Sequence, residues 1–337
     1  MLTPKQNLLE TIRGGKPDRF VKQYEFMKLV MSPVMRHRNQ PKRGEMNKVN
    51  NWGVTVSFGE DQPGAFPVHK EGTIVCPDVE EWQEHVKAPS LEFPEEEWEA
   101  VLKEMEETID RDQYFAAPFY APGIFEQCHY LMEIKNCLMA FYESPDEMHE
   151  LIKYITDWEL RVAELTCDHL HPDALFHHDD WGTQISTFLS PDMFAEFYLE
   201  PYKQVYQYYK SRGVEVIVHH SDSFAQTIVP YMIEMGIDIW QGVMTTNDIV
   251  EMEKQYGGQI TFMGGIDSAV LDHADWNVDD VKRVVREACD KYGNNGHYYI
   301  PCLTQGGPGS TFDGVYDAVM KEIDEYSPIY WQEHGLA

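Results

Sequence analysis

Residues 214–223 read VEVIVHHSDS, a run with strong strand character that ends in groups able to bind protons or metal ions. His220 and Asp222 are two residues apart, so both can reach one ion if the backbone turns between them. The thiolate of Cys302, much further along the chain, would be a third ligand, and three protein ligands with one open position make a catalytic zinc site. The alternative is that one histidine is a core residue bonded to the aspartate and that the cysteine is simply buried. Because Asp222 would bind through oxygen, divalent ions other than zinc are also compatible with the site. The sequence does not decide whether His219 or His220 faces the site.

The run DALFHHDD at residues 173–180 also ends in histidines and carboxylates. We expect His178 or Asp180 to donate or accept a proton in the reaction, because a carboxylate can orient an imidazole or act as a general base. The alternative is a hydrogen-bond network that holds the neighbouring loops in place. Asp179, between them, is expected to be exposed.

Short apolar runs alternate with charged stretches of helical period. The apolar runs are residues 19–26, 113–122, 173–180, 214–220, 237–243, 259–267 and 297–304. The helical stretches include residues 94–109, 144–170, 190–213 and 277–293. The regular alternation of strands and helices predicts a parallel sheet with crossover helices. Seven strand candidates favour a closed (β/α)8 TIM barrel with one strand not placed, and a doubly wound sheet is the alternative.

Residues 27–93 are rich in proline, glycine and tryptophan and show no clean period. We expect them to form an irregular excursion, a cap or lid, within a single domain that spans residues 1–337.

The chemistry of a barrel lies on its C-terminal face, where the strands end. The polar strand ends should therefore meet at one rim. We predict that Phe119, Tyr120, Trp181 and Gln184 line a pocket there, although aromatic residues are more often part of the core.

The chain of 337 residues carries 57 acidic and 27 basic side chains, for a formal net charge of −30. Such a surface repels phosphate backbones and anionic lipid, which disfavours nucleic-acid and membrane partners. No stretch reaches the roughly 18 apolar residues of a membrane span. The six cysteines form no C-x-x-C pair, and the N-terminus, MLTPKQNLLE, has no long apolar run. We therefore expect reduced thiols and a cytoplasmic location.

Ordered blocks of the sequence resemble the uroporphyrinogen decarboxylase superfamily. The blocks are TPKQNLLETIRGGKPDRF (3–20), DDWGTQ (179–184), LSPDMFAEFYLEPY (189–202), VIVHHSDS (216–223), GIDIWQGV (236–243), MGGID (263–267) and the glycine-rich segment after Cys302. This resemblance covers nearly the whole chain and implies a (β/α)8 barrel. The superfamily has two main chemistries, decarboxylation of a tetrapyrrole and cobalamin-dependent methyl transfer.

True uroporphyrinogen decarboxylases resemble one another in an R-Q-A-G-R segment whose arginines hold the carboxylates of the substrate. Residues 22–38, KQYEFMKLVMSPVMRHR, occupy this place here, and Arg36 and Arg38 do not match the motif. An acidic chain without that clamp is poorly suited to a polycarboxylated substrate.

Members of the cobalamin-dependent branch bind zinc through a histidine, a cysteine two residues later and a distant cysteine. His220 and Cys302 match the first and the third of these ligands. Asp222 replaces the second, and its harder oxygen argues against a thiol substrate. Residues 50–69, NNWGVTVSFGEDQPGAFPVH, resemble members that move methyl groups from small molecules, including aryl methyl ethers, to a corrinoid protein.

The resemblance therefore implies a cytoplasmic, corrinoid-dependent methyltransferase of the O-demethylase type. Its donor would be a methoxylated, aromatic small molecule, its metal zinc, and its partner a corrinoid protein. A metal or a proton donor at the ether oxygen would help a poor leaving group to depart. The first alternative is a metal-free lyase acting on a tetrapyrrole, and the second is a corrinoid-binding module without catalysis. The sequence leaves the methyl donor and the oligomeric state open.

Overall fold

The structure of the chain, a computed structural model, describes residues 1–60, 62 and 64–336. The strands of this part are β1 (Met27–Val30), β2 (Lys48–Val49), β3 (Thr55–Ser57), β4 (Phe66–Pro67), β5 (Phe115–Tyr120), β6 (Ala174–His178), β7 (Val216–His220), β8 (Ile239–Val243), β9 (Thr261–Ile266) and β10 (Tyr299–Leu303). The helices are α1 (Pro4–Ile12), α2 (Pro33–Arg36), α3 (Trp82–His85), α4 (Glu95–Thr108), α5 (Ile124–Met132), α6 (Ile134–Glu143), α7 (Pro145–Leu170), α8 (Pro191–Phe194), α9 (Glu200–Ser211), α10 (Val229–Met235), α11 (Ile249–Tyr256), α12 (Ser268–Leu271), α13 (Val278–Tyr292) and α14 (Val315–Glu333). A π-helical turn at Ala195–Leu199 joins α8 to α9.

A curled parallel sheet forms the centre of the fold. Seven strands pair in the order β1-β5-β6-β7-β8-β9-β10, and every neighbouring pair is parallel. Helices connect the strands, because parallel strands need long crossover connections. Apolar side chains from all seven strands meet in one interior cluster, from Met27 of β1 to Ile300 of β10. The sheet therefore curls around a common interior, which confirms the predicted α/β class with a TIM-barrel-like architecture.

The two edges of the sheet are joined by side chains rather than by a strand ladder. Within the described residues, β1 pairs only with β5 and β10 only with β9. Gln23 donates through Nε2 to the carbonyl of Gly306 at 3.2 Å, and the hydroxyl of Tyr316 donates to the carbonyl of Gln23 at 3.3 Å. The eighth strand, which the sequence did not place, is thus not found in the described part of the chain, and polar contacts bridge the gap.

The first strand of the sheet lies further along the chain than the sequence predicts, whereas the other six lie in the predicted apolar runs. Tyr24 sits in a turn with a left-handed φ of 60°, and the strand begins only at Met27. Val21 and Phe26 belong to the interior cluster. The apolar run before Met27 therefore reflects burial rather than strand pairing, and the prediction of a strand there was wrong.

The segment 27–93, predicted to be irregular, contains regular structure. It begins with β1, and β2, β3 and β4 form a small antiparallel sheet within it. Trp52, Val54 and Val56 are buried in the large apolar cluster on the helix side of the main sheet. A role of this segment as a cap or lid stays a prediction.

The long helices begin and end close to the predicted residues because their termini carry suitable groups. At the start of α13, the side chain of Asn277 accepts a hydrogen bond from the N–H of Asp280 at 2.9 Å. Asp279 and Asp280 lie in the first turn and Lys291 in the last, so both ends oppose the partial charges of the helix. Within the described residues, every helix is too short or too polar to cross a membrane.

Glu253 on α11 provides a test of the packing on the helix side of the sheet. Its carboxyl group is buried, and Oε1 has no hydrogen-bond partner among the described residues. Burial raises its pKa from 4.5 to about 9, so the folded chain holds a proton that the unfolded chain releases at a lower pH. Stability therefore falls as the pH rises between these two values.

We expect Glu253→Gln, which removes this charge, to raise the free energy of unfolding by roughly 1–3 kcal/mol near pH 8 and to change it little near pH 5. Urea unfolding at both pH values measures the effect. The same change at both pH values would contradict the buried, proton-holding carboxyl group.

Candidate active site

The paired histidines of β6 and β7 point to opposite faces of the sheet. His177 pairs with His219 and His178 with His220, and successive side chains of a strand alternate between faces. Val218 belongs to the interior cluster. His220, two residues further on, therefore faces the interior together with His178, and of the two histidines that end β7 it is the one at the site.

The two outward histidines belong to a buried polar network between the sheet and the helices. The hydroxyl of Tyr206 lies 3.1 Å from Nδ1 of His177 and 2.7 Å from Nδ1 of His219. Nε2 of His177 lies 3.2 Å from the carboxylate of Glu159, and Nε2 of His219 lies 3.1 Å from the carbonyl of Asp179. All of these side chains are buried. This network ties the sheet to α7 and α9 and gives the two strands a fixed orientation.

The inward groups form a cluster of two imidazoles and one carboxylate. One nitrogen or oxygen atom each of His178, Asp180 and His220 lies within 4.8 Å of the others. Nε2 of His178 is 3.8 Å from Oδ2 of Asp180, and Nε2 of His220 is 3.8 Å from Oδ1 of the same carboxylate. The imidazole rings stack, with ring centres 4.3 Å apart and 14° between their planes. Side-chain exposures of 30%, 28% and 11% for His178, Asp180 and His220 leave the cluster within reach of a ligand.

Helix α5 brings a further carboxylate to the cluster. Oε2 of Glu126 lies 3.4 Å from Nε2 of His178, and the residue is only 6% exposed. The start of α5 is held by the carboxylate of Asp179, which accepts hydrogen bonds from the N–H groups of Phe125 at 2.9 Å and Glu126 at 2.8 Å. It also accepts one from the hydroxyl of Tyr202. Asp179 is fully buried, so the expectation that it would be exposed was wrong.

A bulge in β8 turns Gln241 towards His220. The pairing with β9 shifts between Gln241 and Val243, and Gly242 has a left-handed φ of 93°. A Cβ atom at Gly242 would lie 3.1 Å from the backbone of Asp222, so glycine lets this loop approach the strand. Oε1 of Gln241 accepts a hydrogen bond from Nδ1 of His220.

Asp222 and Cys302 lie beside the cluster without belonging to it. The backbone N–H of Asp222 donates to Oδ1 of Asp180 at 3.0 Å. Nε2 of Gln241 lies 3.9 Å from Sγ of Cys302, so the amide stands between this sulfur and His220. Burial raises the pKa of the thiol to about 12. Their assignment as metal ligands together with His220 stays a prediction.

Burial shifts the pKa values of the titratable groups at the site, and repulsion between neighbouring groups of like charge shifts them further. Burial raises the pKa of Glu126 well above its usual value, and the carboxylate of Asp180 raises it further. The same two causes raise the pKa of Asp222 to about 7. Burial lowers the pKa of the His178 imidazole, and the neighbouring His220 lowers it further. Groups that oppose one another's charged forms in this way are typical of sites that transfer protons or bind metal ions.

The predicted pocket residues divide between the two faces of the sheet. Phe119 faces the interior, where its ring stacks on Phe176 at 5.7 Å, and Phe176 in turn lies 6.3 Å from the ring of His220.

Tyr120 and Trp181 face the helices, where their rings stack on the outward histidines. Gln184 is exposed in the loop after β6. Substrate contact by these three residues and by Phe119 stays a prediction.

Sequence reasoning missed Glu126 and Gln241. Glu126 stands in the first turn of a helix, where an acidic residue is ordinary because it complements the helix dipole. Gln241 directly precedes Gly242 in the β8 bulge. A glycine inside a strand often marks a bulge, and bulges reorient side chains near functional sites, so Gly242 was the local signal that could have identified Gln241.

A sheet of parallel strands curled around an interior, with polar groups at the C-terminal strand ends, places the molecule in the class of TIM-barrel-like α/β folds. The sequence profile of the family described as uroporphyrinogen decarboxylase (URO-D) matches residues 50–326. The chain therefore belongs to the uroporphyrinogen decarboxylase family. The solved structure of a methyltransferase from Methanosarcina mazei has a similar fold, with a TM-score of 0.64, 15% sequence identity, and coverage of 97% of this chain and 99% of that chain. No curated protein matches the chain in sequence.

Neighbouring aspartates provide a test of how the site is held. We expect Asp179→Ala to lower the free energy of unfolding by roughly 2–3 kcal/mol, because it leaves buried N–H groups at the start of α5 without an acceptor. Asp180→Ala serves as the control and should cost much less, since it relieves repulsion among half-buried carboxylates. Chemical denaturation of both variants measures the difference, and equal losses would contradict the separate roles of the two residues.

Proposed function

We propose that this chain is a cytoplasmic methyltransferase that moves a methyl group from a methoxylated small molecule, an aryl methyl ether, to the Co(I) corrinoid of a partner protein. The observation that carries the proposal is the cluster of His178, Asp180 and His220 at the mouth of the barrel-like sheet. Membership of the uroporphyrinogen decarboxylase family and a fold like that of a methyltransferase support it.

The chemistry of ether cleavage explains why such a cluster is useful. When a nucleophile takes the methyl group, negative charge develops on the departing oxygen, and a Lewis acid or a proton donor there lowers the barrier. His178 and Asp180 are proposed to supply or hold that proton, because they lie at the interior mouth and remain partly exposed. Phe119, which faces the interior beside Phe176, is proposed to hold the aromatic ring of the donor.

A divalent metal, zinc, is proposed to bind at the imidazole of His220. The residues present fit such an ion, since neutral nitrogen and carboxylate oxygen ligands face one another without hydrogen bonds between them. When bound, the metal supplies Lewis acidity to the departing oxygen. The family resemblance points to Asp222 and Cys302 as the further ligands.

The rim of the barrel mouth carries exposed apolar side chains that suit a partner protein. Ile185, Val270 and Phe312 are 79%, 42% and 50% exposed and lie in segments that follow β6, β9 and β10. The N–H of Phe312 donates to Asp272 at 2.7 Å, which holds two of these segments together. Exposed apolar side chains around a mouth mark a surface for binding, and we propose that the corrinoid protein docks here.

Decarboxylation of a tetrapyrrole, without metal, is the competing function within the family. Arg38 lies near Glu126 at the mouth but forms no ion pair within 4.0 Å among the described residues. A single arginine amid several carboxylates is a poor clamp for a polycarboxylated ring.

A methyl-transfer assay tests the proposed function. Purified protein and reduced corrinoid protein would be offered methoxyarenes, methanol, methylamines and methyl thiols while the cobalt absorption is followed. We expect cobalt methylation from methoxyarenes. Absence of methylation with every donor, together with turnover of a porphyrinogen by metal-free protein, would contradict the proposal.

The docking surface makes a separate prediction. We expect Phe312→Ser and Ile185→Ser to lower kcat/KM for methyl transfer to the corrinoid protein by about 10-fold, because truncating an apolar anchor costs roughly 1–2 kcal/mol. Transfer to free cob(I)alamin should not change.

Ile329→Ser is the matched control, since Ile329 is 39% exposed near the C-terminal end of α14, on the side away from the mouth. Equal effects of all three variants, or equal loss with free cobalamin, would contradict docking at the rim.

A further inference from the structure

We infer that Glu126, His178, Asp180 and His220 form a binding site for one divalent metal ion, and that Cys302 is not a ligand of that ion. The inference deepens the proposed function, on which the choice of zinc rests. Metal binding itself does not require methyl transfer, so the two can fail separately.

The spacing of His178, Asp180 and His220 fits a shared metal ion, and Glu126 joins this group through its contact with His178. Two ligands at about 2.1 Å from a tetrahedral zinc ion lie about 3.4 Å from each other. Nε2 of His178 is 3.4 Å from Oε2 of Glu126 and 3.8 Å from Oδ2 of Asp180, and Nε2 of His220 is 3.8 Å from Oδ1 of Asp180. The two 3.8 Å separations exceed the range of hydrogen bonds, whereas small side-chain movements would bring all three to ligand spacing.

The hydrogen bond on the far side of His220 orients the ring for metal binding. Nδ1 of His220 contacts Oε1 of Gln241, an oxygen that can only accept, so the proton of the neutral imidazole lies on Nδ1. Nε2 is then the nitrogen left to bind a cation, and it lies 3.8 Å from Oδ1 of Asp180. A cation between the two atoms can accept an electron pair from each. This pairing of a metal-binding imidazole with an outer acceptor is the usual one.

Glu126 supplies an independent observation. The residue is 6% exposed, and its Oε2 atom is buried without a hydrogen-bond partner among the described residues. Its other oxygen, Oε1, accepts from the hydroxyl of Tyr130 at 3.4 Å. A buried carboxylate oxygen is rarely left unpartnered. Oε2 lies 3.4 Å from Nε2 of His178, where a metal ion bound by that imidazole would satisfy it.

Among the described residues, Arg38 is a cation near enough to Glu126 to act on it. Its Nε atom is also buried without a partner, and it forms no ion pair within 4.0 Å among the described residues. The two charges therefore stay apart in this structure, and the face of Glu126 that carries Oε2 is turned to His178.

The thiol of Cys302 has other contacts. It donates to the carbonyl of Leu303 at 3.1 Å and meets the amide of Gln241, not an imidazole or a carboxylate. A site of two nitrogens and two oxygens without thiolate is harder than the thiolate-rich zinc sites. Such an ion would bind and polarise an ether oxygen in preference to a thiol.

Metal titration of the full-length protein tests the inference. Apo protein would be titrated with Zn²⁺, followed by calorimetry, and with Co²⁺, followed by its absorption spectrum. The variants are Glu126→Gln, His178→Ala and Asp180→Asn, and circular dichroism verifies that each is folded. Cys302→Ser is the variant that separates this ligand set from the one that the resemblance implies. We expect the first three to lose at least about 10-fold in affinity and Cys302→Ser to bind as the wild type does. The Co²⁺ spectrum of the wild type should show no sulfur-to-cobalt charge-transfer band in the near ultraviolet.

Three results would overturn the inference: no stoichiometric binding by the wild type, a charge-transfer band that Cys302→Ser abolishes, or unchanged binding by folded Glu126→Gln and His178→Ala. Metal binding as expected but no methylation of cobalt by any donor would leave the site standing and refute the proposed function. Stoichiometric but weak binding that Glu126→Gln and His178→Ala reduce equally, with Cys302→Ser unaffected, would still support the ligand set.

Discussion

The in-register pairing of β6 with β7 determines which groups can act together. Each strand ends in two adjacent histidines, and the alternation of side chains sends one of each pair to the helices and one to the interior. A slip of either strand by one residue would exchange the faces of its two histidines. The outward pair is fixed by the hydroxyl of Tyr206, which contacts both imidazoles. Two of these four histidines thus hold the strand ends that position the other two.

The interior mouth concentrates charge that the fold itself does not neutralise. Carboxylates from α5, from the end of β6 and from the loop after β7 come together beside two imidazoles. Burial raises the pKa values of all three carboxyl groups, and repulsion by Asp180 raises those of Glu126 and Asp222 further. Such an arrangement costs stability in the absence of a cation. A fold maintains an unfavourable group of this kind when it serves binding or catalysis. This is the physical reason to look for a metal ion or a cationic transition state at the mouth, and it agrees with an overall acidic chain that carries a net charge of −30.

The sequence was informative where a signal was local. The apolar runs located six strands of the sheet, and capping residues such as Asn277 located helix termini. The strand predicted at residues 19–26 shows the limit of such signals. The run has strand character, but Tyr24 adopts a left-handed turn within it, which the pattern of apolar residues does not reveal. The predicted exposure of Asp179 failed for a different reason. Only the fold reveals that α5 begins beside this residue and that its carboxylate accepts hydrogen bonds from the first N–H groups of the helix.

The candidate site was predictable in its location but not in its composition. Strand ends at a C-terminal rim identified His178, Asp180 and His220 as residues that could meet. Glu126 comes from a helix, and Gln241 is placed by a bulge, so neither followed from the pattern of strand ends. The resemblance pointed to Cys302 through its position in the chain, whereas its contacts with Gln241 depend on side-chain packing that no spacing encodes.

X-ray absorption at the zinc edge, on protein purified with one equivalent of zinc, would observe the coordination directly. Our account predicts only nitrogen and oxygen neighbours at about 2.0–2.2 Å, with the outer scattering of two imidazole rings. A sulfur neighbour at about 2.3 Å would contradict it, because it would place the thiolate of Cys302 on the metal and the carboxylate of Glu126 elsewhere.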